Sequence, residues 1–128
     1  METVDIIKNH PLSKEKIEGW MIKKIYKNLE KSDVNQEWVK NVISTKGKLE
    51  NMINNNPTLL FEFFDEYDLI VEIGLKDSKF IFRVINRNEE ELHPYEYSKT
   101  RIKTSVLAIH TLFQLLENKL KEDEKDNK

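Results

Sequence analysis

An α+β domain is the fold this sequence predicts, with N-terminal helices, a central antiparallel β-hairpin or three-stranded meander, and a long C-terminal amphipathic helix. Three observations carry that prediction. Residues Leu69 to Asn86 alternate about a two-residue turn, residues Ile102 to Leu120 recur at helical spacing, and the polar run Asn54-Asn55-Asn56-Pro57 separates the sheet from the helices before it.

The hairpin can be written residue by residue. With Asp77-Ser78 as the turn, Lys76 faces Lys79, Leu75 faces Phe80, Ile73 faces Phe82, Glu72 faces Arg83 and Val71 faces Val84. Val71, Ile73, Leu75, Phe80, Phe82 and Val84 then form an apolar face. Ile70, Glu72, Gly74 and Lys76 against Lys79, Ile81, Arg83 and Ile85 form a mixed one.

Along the chain, Thr3 to His10 reads as a short helical turn ended by Pro11. Ser13 is placed as the N-cap of a helix whose Ile17, Trp20, Met21, Ile25 and Leu29 recur on one face through about Lys31. Asp33 with Gln36 resembles a capping box for a second helix that buries Val34, Trp38, Val42 and Ile43, with Gly47 as its end. Leu49, Met52 and Ile53 resume the spacing, so one helix continuing to Asn54 competes with a break at Gly47. Pro57 interrupts it, because proline lacks an amide proton and pushes its predecessor out of helical geometry.

Thr58 to Tyr67 has two readings. Its phenylalanine density predicts a first strand leading into the hairpin, whereas the Leu60, Phe64, Tyr67 spacing fits a helix. The strand is the expectation taken here. Asn86 to Lys99, with Glu89-Glu90-Glu91 and His93-Pro94, reads as an irregular loop. From Ile102 the stripe of Val106, Ile109, Phe113, Leu116 and Leu120, widened by Leu107, Leu112 and Leu115, predicts a helix. The domain is taken as 1–120 and the charged run 121–128 as a solvated tail.

Composition narrows the function classes. The 128 residues hold 21 basic and 23 acidic side chains, a net charge of −2 that gives no general argument for polyanion binding. Residues 57–91 are the acidic part, with nine acids against four bases. There is no cysteine, which removes disulfides, thiolate metal sites and a cysteine nucleophile together and suits a reducing, cytoplasmic location. The expectation is a chain without a signal peptide or membrane span.

Motifs for chemistry are missing where they would have to be. A nuclease-type Glu-x-Lys pair is not formed by Glu72, because position 74 is glycine and Lys76 lies at the turn. His10, His93 and His110 share no metal-binding spacing, Gly19, Gly47 and Gly74 form no phosphate loop, and no Gly-x-Ser-x-Gly occurs. No catalytic residue, cofactor or metal is assigned. The reading is a non-enzymatic, cytoplasmic protein-binding module of inhibitor, immunity or adaptor type. In its lysine- and asparagine-rich composition the chain resembles small accessory proteins of phages, plasmids or toxin–immunity systems.

The candidate partner-binding residues are Tyr95 and Tyr97, as aromatic anchors, with the acidic Asp65, Glu66, Asp68, Glu89, Glu90 and Glu91 as a steering patch for a basic protein. The alternative is a small nucleic-acid-binding regulator that uses Lys16, Lys23, Lys24, Lys27 and Lys31 on the first long helix. Arginine is absent there and Glu15, Glu18 and Glu30 are interspersed, which favours a solvated face. The oligomeric expectation is a monomer, or a homodimer through Phe113, Leu116 and Leu120 of the C-terminal helix.

Overall fold

The structure, a computed structural model, describes residues 2–28 and 47–126. In order they form α1 (Thr3–Asn9), α2 (Pro11–Asn28), α3 (Lys48–Asn55), a 3-10 turn (Pro57–Leu60), α4 (Phe61–Asp65), strands β1 (Ile70–Lys76), β2 (Lys79–Ile85) and β3 (Glu91–Ser98), and α5 (Arg101–Asp126). The sheet is an antiparallel meander in the order β1-β2-β3. This is the expected α+β class. The expected helix from Asp33 with Val34, Trp38, Val42 and Ile43 falls outside the described residues, as do the side chains of Ile25 and Leu29.

The hairpin forms in the expected register, from Ile70 opposite Ile85 to Lys76 opposite Lys79. Asp77 and Ser78 both take positive φ, 53° and 66°, as a type I′ turn requires, and that turn matches the natural strand twist. Glu72 and Arg83 share a face, with Arg83 Nη2 2.8 Å from Glu72 Oε1. Phe82 and Val84 are fully buried toward the helices. Leu75, expected on the same covered face, is 65% exposed because it sits at the hairpin tip.

Two strand assignments are corrected. Thr58 to Tyr67 is not a strand: Pro57 opens the 3-10 turn, and Leu60 and Phe64, one helical turn apart, are both fully buried. The segment ends in a Schellman motif, in which Leu69 N–H donates to Phe64 O, Asp68 N–H donates to Asp65 O, and Asp68 holds a φ of 60°. The third strand lies after the hairpin, at Glu91–Ser98, in a stretch expected to be irregular. Pro94 is tolerated because β3 is an edge strand, and the ladder shifts register on either side of Val84.

Smaller differences have local causes. Helix α2 begins at Pro11, whose fixed φ suits a first helical position, so Ser13 lies inside the helix and is not its cap. Gly47, at φ 92°, precedes Lys48 as the left-handed residue where α3 begins, which rules out one helix running through it. Helix α5 continues to Asp126, so the expected tail from 121 is helical through that residue, although exposed. Ile102, counted in the stripe, is 49% exposed at the first turn of α5.

The core lies between α5 and everything else. Ile109, Leu112, Phe113 and Leu116 meet Ile6, Ile17, Leu49, Ile53, Leu60, Phe63, Phe64 and Val84, and each such fully buried side chain contributes about 1.5 to 3 kcal/mol. Phe113 and Leu116 are therefore spent inside the chain and offer no surface to the dimer seam expected on them. Two polar contacts join the helices through this core. Glu117, 2% exposed, accepts from Ser13 N–H at 2.8 Å, Ser13 O–H at 3.0 Å and Leu12 N–H at 3.3 Å. Thr3 O–H donates to Asn54 Oδ1 at 2.6 Å, so its oxygen accepts from His110 Nε2–H at 2.9 Å.

Burial lowers the His110 pKa from its ordinary value of 6.5. The sign follows from linkage. Above that value both folded and unfolded chains keep the ring neutral and the contribution to stability is complete; as pH falls below it the unfolded chain binds the proton first, and stability declines until the lower folded pKa is passed. Chemical denaturation at pH 7.5 and pH 5.5 should therefore show a stability loss on acidification that is smaller in His110→Gln. An equal pH dependence in both proteins would exclude His110 as its source.

Candidate functional site

The sheet has one face on the helices and one facing away. On the outer face Ile81 stands opposite Tyr97 and Gly74, Ile85 opposite Ile70 and Glu91, and Arg83 opposite Glu72. Ile81 and Ile85, expected on a mixed surface, are nearly buried at the centre of the sheet. Arg83 lies between them. Its guanidinium carbon is 5.0 Å from the Tyr95 ring centroid, its Nε donates to Glu72 Oε1 at 2.9 Å, and its Nη1 is 3.7 Å from Glu91 Oε2. Tyr95 and Tyr97 are 43% and 52% exposed. They were expected on a loop and stand instead on β3, a rigid element that fixes their spacing.

The turn that holds Asp65, Glu66 and Asp68 meets the β2–β3 turn that holds Glu89 and Glu90 through Arg87 at one end of this sheet, and Glu91 opens β3. The agent is Asp68, whose Oδ1 accepts from the Arg87 N–H at 2.7 Å while the Arg87 side chain donates to Asp65 O at 3.4 Å. Asn86 shapes the other half. Its Oδ1 accepts from both Asn88 N–H and Glu90 N–H at 3.0 Å, and Glu89 takes a left-handed φ of 62°. Partial burial raises the Asp65 pKa, against the opposing pull of Arg87. Among the described residues, Asp65, Glu66, Glu89 and Glu90 have no ion-pair partner, so this rim is net acidic.

Sequence reasoning missed Arg83, Arg87 and Asn86 as organisers of this region. A signal existed for Arg83, whose cross-strand pairing with Glu72 was legible. The left-handed residues had none, because Asp68 and Glu89 occupy positions where glycine or asparagine is the usual marker.

The lysine helix is less coherent as a site. Lys24 Nζ lies 2.6 Å from Glu62 Oε2 and 4.7 Å from the Trp20 ring centroid. Lys16 shares a surface depression with Glu15, Asp123 and Glu124, three carboxylates that oppose a phosphate. Lys23 is exposed. Lys27, within α2, has its side chain outside what is described, and Lys31 lies outside it altogether. Near Lys24 an apolar groove of about 250 Å³ is bounded by Trp20, Met21, Met52 and Leu59, below the usual range for a small-molecule pocket. Trp20, expected in the core, is only partly buried here.

Among the described residues no cluster of three or more histidine, cysteine, aspartate or glutamate side chains is arranged to hold a metal ion, and no helix is long and apolar enough to cross a membrane. Comparison with protein-family models, curated proteins and solved structures finds no match to this chain.

Proposed function

We propose that this chain is a non-enzymatic protein-binding module, of the inhibitor, immunity or adaptor kind and cytoplasmic, whose contact surface is the outer face of the sheet. The observation that carries the reading is the pair of half-exposed tyrosines, Tyr95 and Tyr97, on a strand rather than a mobile loop, beside an acidic rim. Rigid aromatic side chains bury large area at low entropic cost, and two such anchors can be worth about 2 kcal/mol each. The rim residues Asp65, Glu66, Glu89 and Glu90 suit a basic partner, accelerating encounter more than deepening affinity. The lysines of α2 support nucleic-acid binding poorly, since Lys16 and Lys24 already face carboxylates.

The test is affinity capture from the source cells with three proteins: wild type, Tyr95→Ser with Tyr97→Ser, and Glu89→Lys with Glu90→Lys. A protein retained by wild type should be lost with the tyrosine variant, and should be captured more slowly and with weaker salt dependence by the charge variant. Equal capture by all three, with unchanged circular dichroism, would remove this face from the reading.

A further inference from the structure

We propose that β1 pairs with β1 of a second copy of this chain, in antiparallel two-fold register about Ile73, joining two three-stranded sheets into one of six strands. The two edges of the sheet are built differently. Edge β3 carries Pro94 and two register shifts, devices that discourage strand addition, while both edges carry charges, Glu91 and Glu96 on β3 and Glu72 and Lys76 on β1. Edge β1 is a regular seven-residue strand with no proline or bulge, and its Leu75 is the most exposed of the large apolar side chains among the described residues.

The backbone of β1 is set up for this partner. In a two-residue hairpin the closing pair, Lys76 and Lys79, is bonded in both directions, so Gly74 and Glu72 also bond to β2. Val71, Ile73 and Leu75 then direct amide and carbonyl groups to the open edge, and no bond to them from outside the ladder exists among the described residues. Two-fold pairing about Ile73 satisfies every one of these groups. It also places Leu75 against Val71 of the second copy on the inner face, covering the exposed side chain.

On the outer face, Glu72 lies opposite Gly74 of the second copy, which leaves room for its side chain, and diagonal both to Lys76 and to Glu72 of that copy, with Arg83 already neutralising the carboxylate within the chain. A two-fold about Gly74 would set Leu75 against Ile73 and Glu72 across from Lys76, but it pairs only Ile73 and Leu75 and leaves the edge groups of Val71 beside the turn at Asp77, whereas the register about Ile73 pairs all three. A strand-edge interface is small, below about 1,200 Å², so association is reversible and concentration-dependent.

Because the chain has no cysteine, Ile73→Cys reports the register directly. Across the two-fold the two positions come about 5.5 Å apart at Cα, within disulfide range. Lys76→Cys is the control, since its two copies lie roughly 20 Å apart in this register. Air oxidation should link Ile73→Cys into a dimer of twice the 15.3 kDa chain and leave Lys76→Cys monomeric. Sedimentation of the wild type over a rising concentration series should show the same dimer, and Leu75→Glu, a change at an exposed position that folding tolerates, should remove it. A wild type that stays monomeric throughout, or linking through position 76 as readily as through 73, would overturn the proposal.

Discussion

Replacing Glu117 by leucine is expected to destabilise the protein by about 2 to 5 kcal/mol, although leucine suits the apolar surroundings. The carboxylate sits where α2 begins. The first amides of a helix have no partner within it, and here the N–H groups of Leu12 and Ser13 donate to a side chain from α5, more than 100 residues away in sequence. Negative charge at a helix N-terminus adds a favourable dipole interaction. Leucine would leave the buried Ser13 amide without an acceptor, at about 1 to 3 kcal/mol, and the partly buried Leu12 amide with a smaller loss. Glu117→Gln keeps an acceptor and should lose less. Urea unfolding checks the order: wild type, glutamine, leucine. A leucine variant as stable as wild type would show that these bonds carry no net stabilisation, and with a total stability of about 5 to 15 kcal/mol the expected loss is easily measured.

Phe82→Ala should cost about 3 to 5 kcal/mol. Phe82 is at the centre of the middle strand and has no exposed surface. The His93 ring stacks on it with centroids 5.9 Å apart and planes within 6°. Removing the phenyl ring opens a cavity that flanking strands cannot close without breaking the ladder. Phe80 provides the internal comparison, because it lies two residues away on the same face but is half-buried under the Arg101 guanidinium, 5.3 Å from its ring centroid. Its alanine variant should lose clearly less in the same denaturant titration. Equal losses at the two positions would contradict the burial difference between them.

Parts of the molecule with local determinants were legible beforehand. Strand alternation and the two-residue separation placed Ile73 against Phe82 and Glu72 against Arg83, since side chains alternate strictly and any slip would turn the apolar set outward. The stripe in α5 identified Ile109, Phe113 and Leu116 as buried. Segment 58–67 misled because phenylalanine serves both strand and helix, and what decided between them was the capture of Leu60, Phe63 and Phe64 by the core. Strand β3 was hidden by Pro94, which is read as a break unless the strand is known to lie at an edge.

The sequence by itself determined the α+β class, the hairpin register and the helical stripe, because each is set by spacing between residues close in the chain. Tertiary structure decided the candidate site. Tyr95 and Tyr97 stand on the outer sheet face because β3 pairs with β2, and the two acidic segments meet because Asp68 accepts from Arg87, 19 residues on. It also decided the role of Glu117. That residue lies one turn past Phe113 on the buried stripe, a place where a carboxylate reads as an anomaly, and its meaning came only with the arrival of the α2 N-terminus against α5. Periodicity reports which side of an element is buried; it carries no information about which distant element buries it, and hydrogen-bond partners far apart in sequence leave no spacing to read.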